Sequence, residues 1–211
     1  FLATADSFFD GVTFALDGTE CGIAKPSDPL EEDAWYSYKA GYHTVKYELC
    51  THVSSGRIRW AFGGFPGGSL HDITLTRVGG LLSVIPPGER GVADKGYIGL
   101  PPEQFYVPLK PKKYQISGQE VKAYELEERI YNRVVSAIQI DVERANGRLK
   151  RFKVLWRCRQ RNRYSHVIVF EVLANIVNIW NEVLPICRNI HPLLQECETT
   201  RPTRSLLEAA P

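Results

Sequence analysis

Apolar residues along the chain alternate between a two-residue and a 3.6-residue period, and the switches between them outline the elements. Val12–Leu16 is a short apolar run closed by Asp17-Gly18-Thr19, which reads as a strand followed by a turn. Tyr42–Val53 is rich in β-branched and aromatic residues; Ser54-Ser55-Gly56 then turns the chain, and Arg57–Phe62 returns as the second strand of a hairpin. Phe65-Pro66-Gly67-Gly68 breaks the pattern, and Ser69 is placed to cap a helix over Leu70–Arg77. Gly91-Val92-Ala93 predicts a short buried strand with Asp94 at its end. Residues 25–34 and 99–118 read as polar loops.

Helical periodicity begins near residue 120, runs to about 133 and continues, after a break, over 134–152. There Val134, Ile138, Val142, Ala145 and Leu149 form one stripe. A last helix covers about 165–184 and stops near Pro185, and residues 198–211 read as a frayed tail. This order predicts an α/β fold, a mixed sheet flanked by helices, without internal repeats. A remnant of a longer upstream region (1–11), one domain (12–184) and a tail (185–211) describe the organisation. The chain opens at Phe1 and has no Met, which is expected of a fragment.

Composition narrows the class. A chain of 211 residues, 44% hydrophobic and 24% charged, can bury roughly 70% of its unfolded surface without staples. Five cysteines without a C-x-x-C pair (Cys21, Cys50, Cys158, Cys187 and Cys197) read as reduced thiols, and a zinc site is disfavoured. Val167–Val183 is apolar enough to suggest a membrane span. However, Glu171, Asn175, Asn178 and Asn181 or Glu182 recur three or four apart, so a packed amphipathic helix is expected and no membrane partner.

The near-neutral total charge conceals a division. Residues 1–109 hold eight basic and thirteen acidic side chains, whereas 110–211 hold eighteen and eleven. From Arg144 to Arg163 there are nine basic residues and no acidic one, and Lys110, Lys112 and Lys113 form a smaller group. Clusters of this kind suit a polyanion, through counterion release, although a solvated helix face would have the same composition.

Three carboxylates then stand out. Asp17 and Asp94 each follow a short apolar strand, so adjacent strands would bring both to one sheet edge. Glu143 borders the buried stripe of its helix. Carboxylates about 4 Å apart repel by roughly 4 kcal/mol per pair at an effective dielectric near 20. Protons or hard divalent cations must therefore neutralise them. Arg144, Arg148 and Arg151, at i, i+4 and i+7, could present guanidinium groups to phosphates from the same helix.

Several blocks in order carry a family resemblance: Asp17-Gly18-Thr19, Tyr38-Lys39, Pro66-Gly67-Gly68-Ser69-Leu70-His71-Asp72, Ala93-Asp94-Lys95-Gly96-Tyr97, Asn132, and Val142-Glu143-Arg144-Ala145-Asn146-Gly147-Arg148-Leu149-Lys150-Arg151-Phe152. Over about residues 12–182 the chain resembles the DDE superfamily endonuclease domain of PIF/Harbinger-type transposases.

The resemblance implies an RNase H-like fold that cuts and joins DNA with two Mg²⁺ or Mn²⁺ ions. Asp17, Asp94 and Glu143 would be the catalytic acids and metal ligands, and Asp72 either an auxiliary ligand or a structural cap. Lys110, Lys112, Lys113, Arg144, Arg148, Lys150 and Arg151 would hold DNA phosphates. It also implies a nuclear location and a Myb-like DNA-binding partner; a homo-oligomer is a further possibility. Gln139 departs from the pattern, since family members often carry Arg four residues before the helix acid. Two rival functions remain: a domesticated transposase that binds DNA without cutting, and a ribonuclease H-like enzyme acting on RNA–DNA hybrids.

Overall fold

The structure, a computed structural model, describes residues 9–116, 119–156 and 163–186. Elements are numbered in chain order: β1 (Val12–Gly22), α1 (Pro29–Trp35), β2 (Tyr36–Ser37), β3 (Tyr42–His52), β4 (Ile58–Pro66), α2 (Asp72–Gly79), α3 (Leu81–Val84), β5 (Arg90–Ala93), β6 (Phe105–Tyr106), β7 (Lys112–Ile116), β8 (Gln119–Ala123), α4 (Leu126–Leu149) and α5 (Arg163–Val183). Short 3-10 turns occupy Lys95–Tyr97 and Lys153–Leu155.

The main sheet is ordered β2-β3-β1-β5-β6, with β4 also pairing with β3. β1, β3 and β4 are successive antiparallel partners, whereas β5 lies parallel to β1 and β6 parallel to β5. An antiparallel meander extended by parallel strands on the other side of its first strand is the RNase H-like arrangement. The mixed sheet expected from the pattern is present.

Alternation along the strands sorts the core into two layers. Ala15, Val45, Tyr47, Leu49 and Val92 face α4 and α5, where Val134, Ile138, Val142, Ala145 and Leu149 meet Phe170, Leu173 and Val177. Phe14, Leu16, Cys50 and Ala93 face the opposite way, onto Leu81, Tyr97, Leu100 and Phe105. Burial of each such aliphatic side chain contributes roughly 1.5–3 kcal/mol, so the α4 stripe alone fixes that helix against the sheet.

Several boundaries differ from the sequence expectation. β1 does not turn at Asp17: it continues to Gly22, because Asp17 through Gly22 pair with Leu49 through Thr44 on the long β3. The supposed loop 25–34 contains α1, which starts with an Asp28 side-chain cap and a proline in its first turn. The stretch 99–118 includes β6 and the first strand of a second hairpin, and 119–123 is its return strand rather than helix.

α4 is continuous from Leu126 and opens on a reciprocal capping box between Glu125 and Glu128. α2 starts at Asp72, with His71 rather than Ser69 in the capping position. The expected frayed tail lies outside the described residues, as do Cys158, Cys187 and Cys197; Cys21 and Cys50 are buried free thiols.

α5 differs in polarity. Asn178 and Asn181, part of the polar stripe read from the sequence, turn inward. Asn178 bonds both the N–H and the C=O of Ile58, and Asn181 donates to the Gly56 carbonyl. Ile168, Val172, Ile176 and Ile179 are correspondingly exposed. Backbone polar groups at the β3–β4 turn need partners more than these aliphatic side chains need cover. No described helix is long and apolar enough to cross a membrane.

Candidate active site

Leu16 on β1 and Ala93 on β5 are paired in parallel register, so Asp17 and Asp94 are the next residues on neighbouring strands. Asp94 then caps the 3-10 turn: its Oδ1 accepts from the Gly96 N–H at 2.7 Å, which fixes its rotamer. Asp17 points toward α4, where the Asn146 amide donates to its Oδ2 at 2.8 Å. Asp72, the first residue of α2, approaches from the opposite face of the sheet, in a position favoured by the helix dipole.

Two glycines make this approach possible. A β-carbon at residue 18 would stand 2.6 Å from Asp72 Oδ1. One at residue 96 would stand 3.0 Å from Asp94 Oδ1 and 3.1 Å from Asp72 Oδ2, so both carboxylates border the same glycine.

Electrostatics reports the same gathering. Burial, followed by the charges of Asp94, Asp72 and, least strongly, Glu143, pushes the Asp17 carboxyl up to about 7, against a smaller opposing hydrogen bond from the Gly18 N–H. Asp17, Asp94 and Asp72 therefore lie together, and Glu143 reaches the group only through its charge. Glu143 is exposed on α4 and is the most loosely attached of them. Among the described residues, no three His, Cys, Asp or Glu side chains are already drawn tightly around a single point.

The sequence reading missed the groups behind these acids. Lys46 is buried on β3 and reaches the site from below, its Nζ 3.2 Å from Asp72 Oδ1, 3.7 Å from Glu20 Oε1 and 2.7 Å from the Leu70 carbonyl. Two residues on, Glu48 has no solvent exposure; it accepts from the Thr76 hydroxyl and, at 3.2 Å, from the Trp60 indole. Burial outweighs those bonds and pushes the Glu48 carboxyl up to about 7. The buried Tyr97 hydroxyl feels Glu48, Asp72, Asp17 and Asp94, and burial together with these charges holds it as a neutral phenol. The available signal was the alternation of β3: Lys46, Glu48 and Cys50 share one face of a strand whose other face is apolar.

The cations singled out for DNA have varied surroundings. Lys112 pairs with Glu125 at 2.9 Å and Glu128 at 3.4 Å, and Lys113 with Glu120 at 3.0 Å, all on or beside the β7–β8 hairpin. Arg144 turns under α4 to Asp141 at 3.4 Å and donates to the Ile186 carbonyl at 2.6 Å. Arg148 donates to Asn181, and Arg148 and Arg151 both lie over the Trp180 ring. Lys110 and Lys150 are exposed. Arg157, Arg159 and Arg161, in the later part of the basic run, lie outside the described residues.

An RNase H-like sheet with one acid midway along its first strand and another just past the end of the parallel strand beside it defines a class: nucleases that work on phosphodiester bonds through carboxylates. Family comparison agrees. Residues 16–181 match the DDE superfamily endonuclease model, and the chain belongs to that family. It is 31% identical over 179 residues to a probable transposase for insertion sequence element IS702 from Microchaete diplosiphon, an alignment spanning 81% of this chain and 57% of the relative. No solved structure matches the chain.

Proposed function

We propose that the chain is the DNA-cleaving and strand-joining core of a transposase, with Asp17, Asp94 and Glu143 as its catalytic acids. The observation that carries this reading is the placement of Asp17 and Asp94 side by side on paired parallel strands, with Asp72 brought against them at Gly18 and Gly96; burial and the neighbouring carboxylates push the Asp17 carboxyl up to about 7. Such a site is poorly disposed to remain fully ionised without a compensating cation. Its donors are all oxygen, the set that hard Mg²⁺ or Mn²⁺ ions take, and Gly18 and Gly96 leave room beside them.

Asp17, Asp94 and Glu143 would hold one or two such ions, and Asp72 would serve as an auxiliary ligand through the oxygen that Lys46 leaves free. When bound, the ions supply an activated water or DNA 3′-hydroxyl and stabilise the leaving oxygen. The chain's own groups prepare the site. Asn146 orients Asp17, the Gly96 N–H orients Asp94, and Lys46 neutralises Asp72 so that its charge does not add fully to the repulsion.

Exposed Lys110, Lys150 and Arg151 would hold backbone phosphates without reading sequence, and Arg144 and Arg148 would set the surface they stand on. The PIF/Harbinger assignment rests on the resemblance of the sequence blocks, and a Myb-like partner and a nuclear site of action are what that resemblance implies.

The test is nicking of supercoiled DNA in Mg²⁺ or Mn²⁺, compared with Asp94→Asn. Cation-dependent nicking lost in the variant is expected. Equal background from both proteins would sink the nuclease reading and favour a non-cleaving DNA-binding protein, and cutting confined to RNA–DNA hybrids would favour the ribonuclease reading.

A further inference from the structure

α4 continues past the acids to a second feature along the same edge. Glu143, Asn146 and Lys150 are spaced i, i+3 and i+7 and so line one side of the helix. Asn146 meets Asp17, and Lys150 is near enough to Cys21, farther along β1, for its charge to reach the thiol. Seven helical residues span about 10 Å, the rise of about three stacked nucleotides.

At that end stand two large rings and an ammonium. The Trp156 indole N–H donates to the Lys150 carbonyl at 2.8 Å, and the Lys150 Nζ lies 5.8 Å from the centre of the Trp156 ring. Tyr42 is tilted by 59° against Trp156, with ring centroids 6.5 Å apart. Both residues are exposed, Trp156 at 36% and Tyr42 at 41%. Gly22 floors the pair: a β-carbon there would come within 3.2 Å of the Tyr42 ring and 3.5 Å of the Trp156 carbonyl.

An exposed π face beside an exposed cation matches what an unpaired base and its phosphate require, since every base has a face to stack. A paired duplex hides its base faces and would leave these rings unused. We infer that Tyr42, Trp156 and Lys150 form a subsite for an unpaired nucleotide of the DNA strand, about three nucleotides along α4 from Glu143. The inference rests on the nuclease reading for the nature of the ligand, and adds that the strand is taken single-stranded at this point.

The test measures binding of two labelled DNA duplexes of equal paired length to the 211-residue chain, without divalent cation so that nothing is cut. One duplex is blunt and one carries a short single-stranded overhang. The unaltered chain is expected to prefer the overhang by about five- to tenfold. Trp156→Leu should abolish the preference while leaving blunt-duplex binding in place, and Trp156→Phe, which keeps a ring but loses the indole N–H, should restore most of it. Lys150→Gln should weaken both duplexes and reduce the salt slope by about one.

The subsite is overturned if the unaltered chain shows no preference, or if Trp156→Leu and Tyr42→Leu both retain it. Equal loss on both duplexes in Trp156→Leu, at an unchanged melting temperature, also overturns it and marks the patch as a duplex-backbone surface. The plasmid-nicking assay run in parallel separates the two claims. Nicking without overhang preference refutes the subsite alone, and overhang preference without nicking refutes the nuclease reading alone.

Discussion

The Asn146 amide donates to Asp17 Oδ2 across the interface between α4 and β1, at 2.8 Å. It ties the helix that carries Glu143 to the strand that carries the central acid. A carboxylate that must accept a cation in one geometry gains from a neutral donor, which fixes its rotamer without competing as a ligand.

Asn146→Ala is therefore expected to reduce cation-dependent cleavage by roughly 10–100-fold, the usual range for loss of such an outer partner. Nicking rates titrated against Mn²⁺ would check this. A fall in rate with unchanged cation dependence would show that Asn146 acts on something other than the carboxylate's orientation.

The two displaced carboxyls give a direction to pH dependence. Asp17 and Glu48 are both pushed up to about 7 in the folded chain, whereas in the unfolded chain they titrate near 4. The folded state thus holds more protons between about pH 4 and pH 7. The stability these groups contribute is complete below pH 4 and is lost as pH rises through 7. For the fully buried Glu48 the loss is roughly 3 kcal/mol. Denaturant melts across this range should show it. Glu48→Gln should flatten the profile while its amide oxygen keeps the Trp60 bond and its NH2 donates to the Thr76 hydroxyl oxygen, reversing that bond, and Asp17→Asn should flatten it while abolishing cleavage. Divalent cation at neutral pH should raise the unaltered chain's midpoint and leave that of Asp17→Asn nearly unmoved.

Lys46 is the cation the site contains permanently. Lys46→Met would keep most of the side chain's bulk but leave Asp72 without its partner and the Leu70 carbonyl without its donor. A cost of about 2–3 kcal/mol is expected, below the 3–5 kcal/mol of a wholly buried pair because Asp72 is partly exposed. In the double variant with Asp72→Asn, much of that loss should return. Midpoints of the two single variants and the double variant, combined as a cycle, measure the coupling directly.

How much of this was legible follows from where each residue lies. Asp17 and Asp94 could be found because each ends an apolar run, and adjacent parallel strands bring such ends together. Glu143 could be found because it borders a five-residue stripe at helical spacing. The extension of β1 was hidden because Asp-Gly-Thr is a turn signal locally, and only the length of β3 overrides it. Lys46 and Glu48 were hidden inside a strand that reads as continuous β-former, their partners Asp72 and Thr76 being supplied from another element. The engagement of Arg144 and Arg148 by Ile186 and Asn181 depends on α5 packing beside α4, which no local pattern encodes.

The inward turn of α5 gives the last prediction. Asn178 accepts from the Ile58 N–H at 2.7 Å and donates to the Ile58 carbonyl at 2.9 Å, so one side chain satisfies both backbone groups at the start of β4. A solvent-facing asparagine would tolerate replacement by leucine on a helix this apolar, with an effect within about 0.5 kcal/mol. The observed contacts demand the opposite. Asn178→Leu should leave a half-buried N–H and C=O unpaired, at about 1–3 kcal/mol for an unsatisfied group, whereas Ile179→Asn on the exposed face should cost little. Thermal denaturation of the two variants, which exchange asparagine and an aliphatic residue in opposite senses one position apart, decides which face of α5 holds the sheet; equal melting temperatures would place Asn178 outside.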